Sequence, residues 1–444
     1  MMHIVLLSGG SGKRLWPLSN DIRSKQFIPF FRQADGTRLS MVQRVCGQIR
    51  RAIPTADITV ATSKAQVSAL RNQLDETVDI CVEPCRRDTF PAIALASAYL
   101  HDVKGVSRDE AVAVCSVDPY VEEDYFQSVQ RLAEYAADGT AALMLMGIEP
   151  TYPSEKYGYI LPRDKASVSP VVSFREKPDA SAAERYIARG ALWNSGVFAY
   201  RLGYVLDRGR DLLGTSRYDE MLSNYAGRTK ISFDYAVVER EKDIAVFRYA
   251  GAWKDLGTWN TLTEIMEEPT LGAVTMDDGC RNTHVVNEMD VPILLMGTQD
   301  LIVAASPEGL LVADKTASSR MKPYVEQITG PVMFAEKSWG GFRVIDVEED
   351  SLTIKVTLNK GHGMNYHSHA YRREIWTVVS GRGTVLLDGK EHPVVPGDVI
   401  HIPIGMKHKI CAKERMVVIE VQIGTDISNA DKIKWPEEDR GTVQ

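Results

Sequence analysis

The sequence predicts an α/β domain followed by all-β structure. Three observations carry that prediction. Up to about residue 265, short apolar runs rich in β-branched residues alternate with longer amphipathic stretches. The pattern breaks at Glu267-Glu268-Pro269. Beyond it, short β-rich runs separated by Gly, Asp and Asn continue almost to the end of the chain.

The runs at 4–7, 58–61, 111–114 and 142–146 read as strands buried on both faces. Residues 40–51 and 91–100 read as helices between them. Such alternation builds βαβ units and a parallel sheet covered on both sides. Runs at 284–286, 293–296, 301–304 and 310–312 then suggest a small all-β connector. Residues 316–328 have a polar helical pattern and end at Gly330-Pro331. The runs at 343–347, 352–358, 375–379, 383–387, 399–402 and 416–421 predict a sandwich or barrel. The expected domains are 1–268, 269–330 and 331–444.

Composition narrows the function. The chain has 444 residues, 25% charged and 44% hydrophobic, as an ordinary globular protein has. No stretch approaches the apolar length of a membrane-spanning helix, and the apolar N-terminal run lacks a basic leader and stops at Gly9-Gly10. A net charge of -7 argues against bulk nucleic-acid binding. Six cysteines are too sparse for a disulfide framework, and a reducing, cytoplasmic setting is expected.

Ser8-Gly9-Gly10-Ser11-Gly12-Lys13-Arg14 follows the first strand. Its glycines allow close backbone approach to an anion, and Lys13 and Arg14 add charged donors. It is not a Walker loop, because Leu7 stands where the first Gly is required and Arg14 where Ser or Thr is. It is not a dinucleotide fingerprint, because Leu15 replaces the third Gly. A tight turn without a ligand is the plain alternative.

The longer run through Leu15-Trp16-Pro17-Leu18-Ser19, with Ser24-Lys25-Gln26-Phe27, resembles the signature of sugar-phosphate nucleotidyltransferases. Within these it is most similar to the mannose-1-phosphate guanylyltransferases. The resemblance continues through Glu83-Pro84-Cys85-Arg86-Arg87-Asp88-Thr89, Tyr157-Gly158, Phe174-Arg175-Glu176-Lys177-Pro178, Asn194-Ser195-Gly196, Ser232-Phe233-Asp234-Tyr235-Ala236 and Trp253-Lys254-Asp255-Leu256-Gly257. It implies a Rossmann-like, GT-A-like mixed sheet and a β-helical connector. It also implies a homodimer that uses GTP, a sugar-1-phosphate and Mg²⁺. Gly9, Gly10, Ser11, Gly12, Lys13 and Arg14 would cradle the nucleotide phosphates. Lys25 would stabilise charge during transfer, Glu83, Arg87, Asp88 and Thr89 would line the base and ribose pocket, and Gly158, Glu176, Lys177 and Asn194 would hold the sugar phosphate. Asp118 and Asp255 would bind Mg²⁺. The chain departs from the family at Pro119, Ser24 and Asp88, where His, Pro and Asn are usual.

The spacing Gly361-x5-His367-x-His369-x4-Glu374-x6-Gly381, then Gly397-x5-Pro403-x-Gly405-x2-His408, resembles the two motifs of the cupin barrel. Ala412 replaces the closing Asn. On a strand, residues i and i+2 share a face, so His367 and His369 can bind one ion. Glu374 and His408 complete a set that suits Zn²⁺, Mn²⁺, Fe²⁺, Co²⁺ or Ni²⁺. Arg372-Arg373-Glu374-Ile375-Trp376 is similar to a segment of type II mannose-6-phosphate isomerases, which usually carry Gln-x-His where this chain has His367-x-His369. Either arginine could meet a phosphate, but neighbours on a strand face opposite ways, so at most one should face the barrel.

Overall fold

A computed structural model describes residues 2–10 and 13–436. By contacts the chain divides into two compact units. The first comprises residues 1–15 and 24–267, the second 16–23 and 268–444.

The first unit is a nine-stranded sheet between helices. Its strands are β1 (His3–Leu7), β2 (Asp57–Ser63), β3 (Asp79–Glu83), β4 (Ala111–Ser116), β5 (Leu143–Ile148), β6 (Tyr159–Pro162), β7 (Val168–Arg175), β8 (Leu192–Arg201) and β9 (Ile244–Tyr249). The order is β3-β2-β1-β4-β8-β5-β9-β7-β6. β1 is parallel to β2 and β4, but β8 runs antiparallel to both of its neighbours. The sheet is therefore mixed, where alternation alone predicts a parallel one. Alternate residues of β1 explain why it sits in the middle. Ile4 and Leu6 enter one apolar layer and Val5 the other, and all are fully buried.

The two predicted helices form as Met41–Ala52 and Thr89–Asp102. Ser40 closes the first with a capping box to Gln43, and Asp88 caps the second. The second is almost all apolar around its circumference and lies buried against β1, β2 and β3, so it shows little helical periodicity.

In the second unit, Thr270–Leu271, His284–Asn287 and Leu301–Ser306 stack in parallel, and Gly309–Asp314 returns antiparallel. Parallel rungs joined by short loops are the geometry of a β-helix. The polar stretch 316–328 is not one helix. It forms a 3-10 turn, Ala317–Arg320, and the short helix Lys322–Val325. Pro323 has no N–H and fits only the first turn.

The barrel strands are β10 (Phe334–Lys337), β11 (Gly340–Val347), β12 (Ser351–Leu358), β13 (His367–His369), β14 (Arg372–Ser380), β15 (Gly383–Leu387), β16 (Lys390–Val394), β17 (Val399–Ile402), β18 (His408–Ala412), β19 (Met416–Gly424) and β20 (Lys432–Lys434). They form two sheets, β10-β11-β12-β19-β14-β17 and β16-β15-β18-β13-β20. Val356, Trp376, Val378, Val385, Ile410 and Val418 fill the space between them.

Candidate active site and candidate metal centre

Strand register gathers the first site. Leu7 lies beside both Ala61 and Ser116, and Ser63 lies beside Glu83. The segments that leave these carboxyl ends are Ser8-Gly9-Gly10, Glu83-Pro84-Cys85-Arg86 and Val117-Asp118. Ligands of open α/β sheets sit at such ends. A cavity of about 530 Å³ opens there, lined in part by Gly9, Gly10, Lys25, Glu83, Asp118 and Asp234.

Side chains hold the glycine loop open. Ser24 donates to the Gly10 carbonyl at 2.9 Å, and Gln66 reaches both of them. Ser24 thus gives the loop a hydroxyl tether that the family's usual proline lacks. Gln26 and Thr62 donate to the Ser8 carbonyl. Ser11 and Gly12 lie outside the described residues.

Charges meet at the cavity edge. The Lys25 ammonium lies 2.7 Å from Asp118, whose other oxygen accepts from Ser116. Burial opposes ionisation of Asp118, but Lys25 and Ser116 outweigh it and hold the carboxyl below its ordinary value. Asp255 is brought alongside because Trp253–Asp255 pairs with Pro119–Val121. Burial and the Asp118 charge push Asp255 upward against Lys25 and Arg14. The Arg14 guanidinium also approaches Asp255 at Gly257. A Cβ there would stand 3.0 Å from the Asp255 carboxylate and 3.3 Å from Arg14.

Glu83 is buried and accepts from the Tyr225 hydroxyl at 2.8 Å, and burial raises its carboxyl pKa. Asp88 holds φ 69° and ψ -176°, a strained backbone region populated almost entirely by glycine. Thr89 accepts from the Phe233 amide. Arg87 is turned toward the Ala226 carbonyl and is not among the cavity's lining. Arg86 lines the cavity instead.

Gly158, Glu176, Lys177 and Asn194 also come together. Lys177 donates to Glu176 at 2.6 Å, while Glu176 Oε2 is buried without a hydrogen-bond partner among the described residues. A Cβ on Gly158 would stand 2.6 Å from that oxygen. The Asn194 side chain donates to Asp234 at 2.7 Å. Burial and the neighbouring Glu176 push Asp234 up to about 7. Asp234 lies in a matched motif, yet nothing in the sequence singled it out. Its proximity to Glu176 and Asn194 is a tertiary fact.

In the barrel, His367, His369, Glu374 and His408 are all buried, with ligand atoms within 4.8 Å of one another. Such a group could hold a metal ion. Each imidazole donates its Nδ1–H to a backbone carbonyl, of Asn365 at 2.6 Å, Asp431 at 3.1 Å and Met406 at 2.8 Å respectively. These bonds fix the tautomer whose Nε2 lone pair faces the centre, although the His369 Nε2 also lies 3.3 Å from the Arg372 guanidinium. The His408 Nε2 is buried with no hydrogen-bond partner among the described residues. Burial pushes His367 down to about 2, so its ring is neutral, as a ligand must be. Burial works against ionising Glu374, but His369 and His408 hold it well below the ordinary carboxylate range. The donor set of three nitrogens and one carboxylate fits a first-row divalent ion.

The family model for nucleotidyl transferases matches residues 3–270. The chain belongs to the nucleotidyltransferase family. The cupin domain model matches residues 354–421 of this nucleotidyltransferase. It is 30% identical over 480 aligned positions to mannose-1-phosphate guanylyltransferase of Escherichia coli (strain K12), covering 98% of each chain. That places it with the mannose-1-phosphate guanylyltransferases within the family. It is 28% identical to alginate biosynthesis protein AlgA of Pseudomonas aeruginosa, over 96% of this chain and 95% of that one. The solved mannose-1-phosphate geranyltransferase from Thermus thermophilus superposes with a TM-score of 0.61 at 27% identity, covering 73% of this chain and 98% of that one. No helix among the described residues is long and apolar enough to cross a membrane.

Proposed function

We propose that this enzyme transfers GMP from GTP to mannose-1-phosphate, giving GDP-mannose and pyrophosphate. The observation that carries the reading is the meeting of Lys25, Arg14, Asp118 and Asp255 beside a cavity at the carboxyl ends of β1 and β4. A phosphate oxygen of the sugar phosphate attacks the α-phosphorus. A new P–O bond forms, the bond to the β-phosphate breaks, and pyrophosphate leaves with that electron pair. The sugar phosphate has a second pKa near ~6 and is mostly dianionic at neutral pH, so no general base is needed. The obstacle is the repulsion of two polyanions and the charge that develops at the α-phosphate.

In this reading Lys25 and Arg14 face that charge, and the amides of Gly9 and Gly10 lie against the phosphates. Asp118 and Asp255 would hold Mg²⁺. They fit it as adjacent hard-oxygen donors whose mutual repulsion a dication relieves. Bound there, Mg²⁺ supplies charge neutralisation at the phosphates. Glu83, Asp88 and Thr89 line the base and ribose side, with Arg86 in the place sequence reading gave to Arg87. Glu176, Lys177 and Asn194 take the sugar phosphate, with Gly158 leaving room for the Glu176 carboxylate. The enzyme is read as a cytoplasmic homodimer with domains 1–268, 269–330 and 331–444.

Two expected results follow. GTP is preferred to ATP, because a buried carboxylate such as Glu83 accepts from guanine's N–H groups and has no such partner on adenine's ring edge. Equal turnover with GTP and ATP in a pyrophosphate-release assay would refute this. Gly158→Ala forces a methyl against Glu176 and Phe174. It raises KM for mannose-1-phosphate about tenfold, as a mispositioned sugar-holding carboxylate should, and leaves KM for GTP unchanged. An unchanged sugar KM would remove Gly158 and Glu176 from that pocket.

A second reading concerns the barrel. Two members of its buried His/Glu group, His367 and Glu374, line a cavity of about 630 Å³. That volume suits a small metabolite. We infer that the barrel interconverts mannose-6-phosphate and fructose-6-phosphate. The alternative is a metal-bearing barrel without chemistry, beside a transferase for this or another sugar phosphate. Formation of fructose-6-phosphate by protein reconstituted with each candidate metal decides between them.

A further inference from the structure

The two arginines that the sequence offered to a phosphate are otherwise engaged. Arg372 is buried and donates from Nε to Glu374 at 3.2 Å and from NH1 to the Ser428 carbonyl at 2.9 Å. Its NH2 lies 3.3 Å from His369 Nε2, and Asp431 is 3.6 Å from NH1. It braces the metal-fit group. Arg373 is exposed on the opposite face of the strand.

The other cations lining the barrel cavity are Lys337 and Lys432. Lys432 stands on β20 directly opposite His369, so its side chain shares a face with the histidines. It is partly buried, and its ammonium has no hydrogen bond or ion pair among the described residues. Burial disfavours its charge, and nearby Arg372 and Lys434 add to that, against the pull of Glu420 and Glu374. Glu420 is itself engaged by the Gln422 amide. Lys337 is likewise half-buried, and Lys434 opposes its charge too. Lys432 and Lys337 line the same cavity as Glu374, Glu420 and Asp426, and the Lys432 ammonium, which has no hydrogen bond among the described residues, can meet a phosphate oxygen as a point charge.

We propose that Lys432, with Lys337 on another strand of the same cavity, anchors the phosphate of a sugar phosphomonoester whose oxygen-bearing end reaches His367, His369, Glu374 and His408. The proposal rests on the isomerase reading for the choice of sugar alone. The anchor is a separate claim.

Calorimetric titration of the full-length protein tests it, with saturating GDP-mannose occupying the transferase cavity. The probes are mannose-6-phosphate, mannose and inorganic phosphate. Affinity for mannose-6-phosphate falls at least about tenfold in Lys432→Gln, the loss expected for one charge-assisted hydrogen bond. Lys432→Arg recovers most of it. Mannose binding is the same in all three proteins, and metal content is unchanged. Lys337→Gln weakens mannose-6-phosphate in the same direction and supplies the test if Lys432→Gln does not fold. Wild-type affinity in the folded glutamine variants overturns the anchor, as does an equal loss for unphosphorylated mannose. Inorganic phosphate binding as tightly as mannose-6-phosphate overturns the sugar. Lysine-dependent binding without isomerisation removes the isomerase reading and leaves the anchor standing.

Discussion

Asp118→Asn and Asp255→Asn each lower GDP-mannose formation by at least about 100-fold, the size of effect seen when one group stabilising transition-state charge is lost. Their effects on stability differ. The Asp118 carboxyl is held below its ordinary value, chiefly because Lys25 and Ser116 overcome the cost of burial. A depressed pKa contributes stability that is present above the unfolded value and lost as pH falls through the folded one. Asp118→Asn forfeits that contribution and leaves the buried Lys25 without its ion pair, so it melts earlier at neutral pH. Asp255 is raised by burial and by Asp118. A raised carboxyl disfavours the folded state as pH rises through the folded pKa, so Asp255→Asn melts at the same temperature or later in the absence of Mg²⁺. Steady-state kinetics at saturating Mg²⁺, paired with thermal melts across pH, check both halves. Near-normal turnover in either variant would sink the Mg²⁺ assignment.

The second large effect is expected in the barrel. Wild-type protein reconstituted with Zn²⁺, Mn²⁺, Co²⁺, Ni²⁺ or Fe²⁺ binds one ion per chain. Glu374→Gln and His408→Ala bind at least about 100-fold more weakly, because losing a ligand exceeds the ten- to hundredfold cost typical of losing only an outer partner. Glu374 carries the one charged donor of the group. Metal content by mass spectrometry and competition with a chelator measure this. A wild-type protein that stays metal-free, or variants that keep the ion, would refute the centre.

The distribution of legible and hidden features has a physical logic. Strands such as β1 and β4 were plain in the sequence because burial on both faces demands continuous apolar runs. His367 and His369 were legible as a pair because residues i and i+2 share a strand face, Glu374 and His408 through the resemblance to the cupin motifs, and the structure brings the four side chains together. The antiparallel insertion of β8 was not legible from periodicity, since strand direction depends on where the chain returns. The stretch 316–328 misled because helical polarity says nothing of what Pro323 forbids. Asp234 and Lys432 were missed for one reason. Each becomes chemically interesting only through neighbours far away in sequence, Glu176 and Asn194 for the first and His369 for the second. Arg372 shows the converse. Sequence offered it as a phosphate partner, but its nitrogens are taken up by Glu374, Ser428 and His369.

Purified full-length protein is incubated with GTP, mannose-1-phosphate and Mg²⁺, and the products are separated and identified by mass spectrometry. GDP-mannose and pyrophosphate form in equal amounts, abolished by omitting Mg²⁺ and reduced at least about 100-fold in Asp118→Asn. Absence of GDP-mannose, with the same protein making a different nucleotide sugar from another base or sugar phosphate, would contradict the proposed transfer.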